Sequence, residues 1–134
     1  MQVPLLDLKR QYHQIKEEVD RAVAEVLEDT KYIMGPQVLK FEDEIAEYCG
    51  TKYAVGVASG TDALLIALRA CGVNPGDEVI TSTFSFFASA GVISRLGATP
   101  VFVDIEDETY NLNPDLLEQA ITEKTKVVMP VHIF

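Results

Sequence analysis

The stretch "YAVGVASGTDALLIALRACG", Tyr53 to Gly72, decides how the chain folds. An apolar run, Ala54–Ala58, meets the small polar cluster Ser59-Gly60-Thr61, and a leucine-rich segment begins at once. The first piece predicts a buried strand and the second, Thr61–Cys71, predicts a helix. A helix that starts directly after a strand leaves its first N–H groups unpaired and its positive dipole end open, which suits a phosphate. Gly60 lets the backbone come close to a ligand, Thr61 can add a hydroxyl donor, and Asp62 can donate its N–H while its carboxylate faces away. The same residues also spell an ordinary Ser/Thr N-cap, and spacing alone leaves both readings open. The turn is neither a Walker loop nor a GxGxxG turn, so a dinucleotide site is the weaker phosphate reading and a nicotinamide dehydrogenase is disfavoured.

Outward from this turn, short apolar runs alternate with helical segments. Glu78–Thr81, Pro100–Val103 and Lys126–Val131 join Ala54–Ala58 as strands. Ser85–Leu96 and Pro114–Thr122 join Thr61–Cys71 as helices, with "NPGDE", "LGATP" and "DIEDETYN" as punctuation. Strands that are apolar nearly throughout, separated by helices, predict an α/β fold: a mostly parallel sheet with helices on both faces. Upstream, Ile15, Val19, Ala22, Val23 and Val26 recur at helical spacing within an amphipathic helix from Leu8 to Glu28. "TKYIMGPQV" breaks it, and a second helix, Gln37 to Tyr48, offers Val38, Phe41, Ile45 and Tyr48 on one side before Gly50. The organisation is therefore an N-terminal helical segment, 1–50, followed by βα units over 51–134. The end, "KVVMPVHIF", reads as a buried strand with no helix after it, so a longer protein is expected.

Composition narrows the function classes. With 21 acidic and 11 basic side chains the formal net charge is -10, and so acidic a chain is repelled by a nucleic-acid backbone. No run approaches the ~18 apolar residues of a membrane span, and "MQVPLLDLKRQY" is no secretory leader. Cys49 and Cys71 lack CxxC spacing and read as reduced, partly buried thiols, which fits a cytoplasmic location.

In open α/β sheets ligands collect beyond the carboxyl ends of the strands. Besides the Ser59 turn, three segments reach that edge. "TSTFSFFAS", Thr81–Ser89, presents three phenylalanines at a strand-to-helix transition. Such aromatics fill cores, but Phe86 can also lie flat over a planar ring. Asp104 reads as a site acid or a turn acid, and His132 as a site imidazole or a strand-end one. His13 lies far from His132 in sequence, and no HExxH or Cys/His cluster exists, so no metal is expected.

Six stretches in order carry a resemblance: "VPLLDLKRQY", "YIMGPQVLKFEDEIAEYCG", "YAVGVASGTDALLIAL", "VNPGDEVITSTFSFFAS", "GATPVFVDI" and "KTKVVMPVHIF". With these the sequence resembles the DegT/DnrJ/EryC1/StrS family of sugar aminotransferases, which use pyridoxal phosphate (PLP). The resemblance implies the N-terminal part of a fold-type-I large domain, working as a homodimer with its active site near the interface. It assigns the PLP phosphate to Gly60, Thr61 and Asp62 and the stacking aromatic to Phe86. Gly35 in "IMG", and more weakly His132, fall on the sugar side. The implied reaction moves an amino group, usually from glutamate, onto a keto carbon of a nucleotide-linked sugar, as in the making of cell-surface polysaccharides.

The lysine that joins the cofactor, and the acid that pairs with its ring nitrogen, lie downstream in relatives. None of Lys9, Lys16, Lys31, Lys40, Lys52, Lys124 and Lys126 matches that lysine's motif, so no catalytic residue is expected among these positions. The family's sheet also sets further strands between the first strand and the others. Two alternatives stand beside the aminotransferase: a PLP-dependent nucleotide-sugar dehydratase, in which histidine replaces the lysine, and a non-catalytic regulatory homologue.

Overall fold

The computed structural model describes residues 5–133. Val3 and Pro4 of the first family stretch, and Phe134 of the last, lie outside them. The chain forms two compact units, one reaching to Gly56 and the other beginning at Val57.

The first unit is helical. Helix α1 (Leu8–Asp29) starts where the Asp7 carboxylate accepts the Arg10 N–H, and it closes on Thr30 in the left-handed conformation. Helix α2 (Pro36–Cys49) starts with proline in its first turn and stops at Gly50, where φ of +64° favours glycine. Gly35, its N-cap residue, is required by space: a Cβ there would meet the Lys31 carbonyl oxygen at 2.3 Å. The amphipathic pattern of α1 is not matched by burial, since none of its residues is buried and Ile15 and Val23 are exposed. Phe41, Ile45 and Tyr48 of α2 are exposed as well, and its buried residue is the small Ala46. Apolar periodicity gives a helix a face, while burial needs a second surface against that face.

The second unit holds α3 (Gly60–Ala70), β1 (Glu78–Ser82), α4 (Ala88–Arg95), β2 (Thr99–Val103), α5 (Pro114–Ala120) and β3 (Thr125–Met129). The sheet is parallel with order β2-β1-β3. Ile80 pairs with Val101 on one side and Val128 on the other. As the middle strand, β1 is buried from Val79 to Ser82 on both faces, whereas β2 and β3 are only partly covered. The full covering expected of every strand therefore holds for β1 alone. Pro100, which has no N–H to give, sits on a strand with a single pairing partner, where proline is tolerated. Helix α4 packs on β1 and β2, α5 on β2, and α3 on α4. Leu68, Val73, Val79, Val92, Ile93 and Ala98 make the core, with Val127 and Met129 against it.

Three expectations need correction. Ala54–Ala58 forms no strand and pairs with none among the described residues, and Val55 stays 77% exposed. A strand is defined by its hydrogen-bonded neighbour, and here the Gly56 N–H goes instead to the Glu42 carboxylate at 2.6 Å. The helix expected from Ser85 begins at Ala88, because Ser82 Oγ takes the Phe84 N–H and holds the chain in a turn. Both cysteines are free and exposed, since Cys49 ends α2 and Cys71 caps α3 and neither lies on a packed face.

Candidate functional site

The turn at Ser59 is built by its own side chains. Ser59 Oγ accepts the Asp62 N–H at 3.1 Å and donates to the Asp62 carboxylate at 3.0 Å. Its carbonyl accepts the Ala63 N–H at 2.9 Å, the first bond of the helix. The Ser59 hydroxyl thus caps the N–H of the third helical residue and is itself held by that residue's carboxylate. Among the described residues it leaves the Gly60 and Thr61 N–H groups without a partner, together with the half-buried Thr61 hydroxyl. Asp62 thus departs from expectation in one respect: its N–H is spent on the cap, so the free donors are those of Gly60 and Thr61. A Cβ placed on Gly60 would meet nothing within 4 Å, so this end of α3 is open to an approaching group.

A cavity of about 660 Å³ brings Thr61 together with Phe86. Phe87, Ala88, Gly91 and Val92 continue its wall, and the last turn of α4 adds Arg95. Phe86 is 76% exposed, so its ring is presented rather than packed away. Phe87 lies over its own helix, where a Cβ on Gly91 would come within 3.0 Å of the ring. Helix dipole, free N–H donors and a hydroxyl at one end, with an aromatic face at the other, can hold a flat ring that carries an anionic arm.

The remaining candidates sit elsewhere. Asp104 Oδ1 accepts the Thr83 hydroxyl at 3.0 Å and the Ile105 N–H at 2.9 Å, tying together the carboxyl ends of β1 and β2. It is engaged as a turn acid. His132 follows β3 and is exposed. Gly35 belongs to the first unit, and the close Lys31 carbonyl accounts for its being glycine. Among the described residues no cluster of His, Cys, Asp and Glu could hold a metal, and no helix is long and apolar enough to cross a membrane. The Ser/Thr N-cap that the sequence offers at this turn is Ser59, whose side chain accepts the Asp62 N–H. Sequence reasoning passed over Arg95, which no motif marks and which only the fold of α4 brings to the cavity.

The chain matches the DegT/DnrJ/EryC1/StrS aminotransferase family model over residues 13–134. It is 52% identical over 134 residues to a "Pleiotropic regulatory protein" of Geobacillus stearothermophilus, covering all of this chain and 36% of that protein. It is 48% identical to a UDP-2-acetamido-2-deoxy-3-oxo-D-glucuronate aminotransferase of Pseudomonas aeruginosa, covering 98% of this chain and 37% of that one. Among solved structures, DesV of S. venezuelae in complex with a ketimine intermediate superposes with a TM-score of 0.95 at 47% identity, covering 98% of this chain and 36% of DesV. NtdA of Bacillus subtilis, with the cofactor PMP bound, gives 0.93 at 38% identity, covering 98% and 31%. The chain therefore spans about a third of the length of the relatives it matches. It belongs to the DegT/DnrJ/EryC1/StrS aminotransferase family, and its mixed α/β fold is that of the corresponding part of PLP-dependent aminotransferases.

Proposed function

We propose that the protein is a PLP-dependent aminotransferase acting on a nucleotide-linked keto-sugar, with glutamate as amino donor. The observation that carries this reading is the shared cavity of Thr61 and Phe86. Two relatives add to it: the P. aeruginosa protein is named for an oxo-sugar nucleotide, and the B. subtilis structure holds PMP.

The residues present fit the cofactor. Its phosphate is dianionic near neutrality, and the open end of α3 offers the Thr61 hydroxyl, the helix dipole and two N–H groups that are unpartnered among the described residues. The Ser59–Asp62 pairing keeps those donors aimed by fixing the first turn. Phe86 would supply the face for the pyridine ring, and Ala88 and Val92 would give it an apolar wall. PLP, when bound, supplies the electron sink for moving an amino group. The residues described here hold and orient. Gly35 and His132 remain the candidates for the sugar side, and the reading carries with it a cytoplasmic homodimer.

A second reading is a regulatory homologue that keeps the fold without turnover, favoured by the 52% identity to a protein named as regulatory. The intact mass of the natural protein, purified with PLP before and after borohydride reduction, separates the two. One covalently held, reduced cofactor supports the aminotransferase. No adduct, with no turnover of oxo-sugar nucleotides, supports the regulator.

A further inference from the structure

We infer that the hydroxyl pair Ser85–Ser89 is the positioning element of the Phe86 ring, and so fixes the aromatic face that the cofactor meets; this rests on the PLP reading above. The ring has little of its own to hold it, since Phe86 is 76% exposed. Its direction is inherited from the turn between β1 and α4, and that turn is closed by hydroxyls. Ser89, 6% exposed, has its Oγ 2.6 Å from Ser85 Oγ. The Ser89 N–H donates to the Phe86 carbonyl at 3.0 Å, and Ser85 Oγ lies 3.4 Å from the same oxygen. The two serines therefore clasp the Phe86 peptide from both flanks. One residue further back, buried Ser82 accepts the Phe84 N–H at 3.1 Å and fixes where the turn leaves the strand.

A buried hydroxyl is costly unless it is bonded, and alanine would fill the place of Ser89 without that demand. What the serine adds is a directional bond across one helical turn, with Phe86 inside the loop it closes. Neither Ser85 nor Ser89 lines the cavity that Phe86 lines, so their influence on a ligand runs through the ring.

The test is a double-mutant cycle in the complete protein, read by PLP titration and by visible circular dichroism of the bound cofactor, which reports the asymmetry around its ring. Ser89→Ala and Ser85→Ala should each weaken PLP binding about fivefold, as loss of one hydrogen bond allows, and should reduce the dichroism. Ser85→Thr, which keeps the hydroxyl, should restore both. In a Phe86→Ala background Ser89→Ala should have no further effect. If Ser89→Ala costs the same with and without the ring, or if both serine variants match wild type, the positioning role is wrong. Should Phe86→Ala itself leave affinity and dichroism unchanged, the cofactor reading beneath it falls instead. Where Ser89→Ala does not fold, the half-buried Ser85→Ala carries the cycle.

Discussion

Phe86→Ala separates two roles for one ring, wedge in a core and platform for a cofactor. Fully burying a phenylalanine side chain is worth ~1.5–3 kcal/mol. With the residue 76% exposed, about a quarter of that is at stake in the fold, roughly 0.5 kcal/mol. Against a planar ligand the same ring has more to lose. A stacked aromatic pair contributes ~0.5–1.5 kcal/mol beyond area. Covering roughly 40–50 Å² of the exposed face adds about 1 kcal/mol at ~25 cal/mol per Å². The sum, about 2 kcal/mol, corresponds to roughly a thirty-fold rise in the dissociation constant of PLP. Urea denaturation of the apoprotein and absorbance titration with PLP, run on the same preparations, read the two quantities apart. A small stability loss with a large affinity loss is the expected pattern. A loss of several kcal/mol in the urea curve with unchanged PLP affinity would refute the reasoning, since it would make Phe86 a core residue.

Thr61→Ala should weaken PLP by about 1 kcal/mol, near fivefold, without moving the urea midpoint, because its hydroxyl has no partner to lose among the described residues; titration and denaturation check both halves. Ser59→Ala removes the cap of α3 and should cost ~1 kcal/mol of stability, which Ser59→Asp should largely recover; the thermal midpoint of each variant reads this. On α1, hydrogen bonds from Lys16 and then Tyr12 hold the Asp20 carboxyl below its usual range, and the bond to Asp20 raises the Lys16 ammonium above its own. A carboxyl lowered on folding adds stability above its unfolded value and loses it as pH falls through the folded one; the raised lysine loses its share as pH climbs through its folded value. The stability difference between wild type and Asp20→Asn should thus be flat from about pH 5 to 9, close below that window, and shrink with salt, as expected for so exposed a pair. A difference that persists at low pH would mean that Asp20 acts by packing.

Much of the second unit is legible because local signals and tertiary structure agree there. Ser59 before a leucine-rich segment reads as a helix start, and α3 begins at Gly60 with Ser59 as its cap. "EVIT" reads as a doubly buried strand, and β1 is the central strand of a parallel sheet. Boundaries slipped where side chains compete for backbone groups. Ser82 captures the Phe84 N–H, and a helix expected from Ser85 waits until Ala88. That Thr61 and Phe86 share one edge follows from the strand-end rule, while their pairing at one ligand came from family resemblance, because no periodicity relates residues from two different turns. The serine pair beneath Phe86 was not legible at all: within "TSTFSFFAS" the serines look like polar filler until the turn puts one hydroxyl on another.

Ala54–Ala58 shows what apolar pattern does and does not encode. The run has the composition of an inner strand, yet no strand forms there. Pattern specifies that a segment gains by burial, yet a strand also needs a neighbour whose N–H and C=O groups answer its own. Among the described residues the sheet closes its order at β2-β1-β3, and the Gly56 N–H turns to the Glu42 carboxylate. The open end of α3 does not wait on that pairing. Its donors are aimed by the Ser59–Asp62 bonds, both made within one turn of chain. A site fixed by local bonds can be read, and tested by Ser59→Ala and Thr61→Ala, independently of how Ala54–Ala58 is paired.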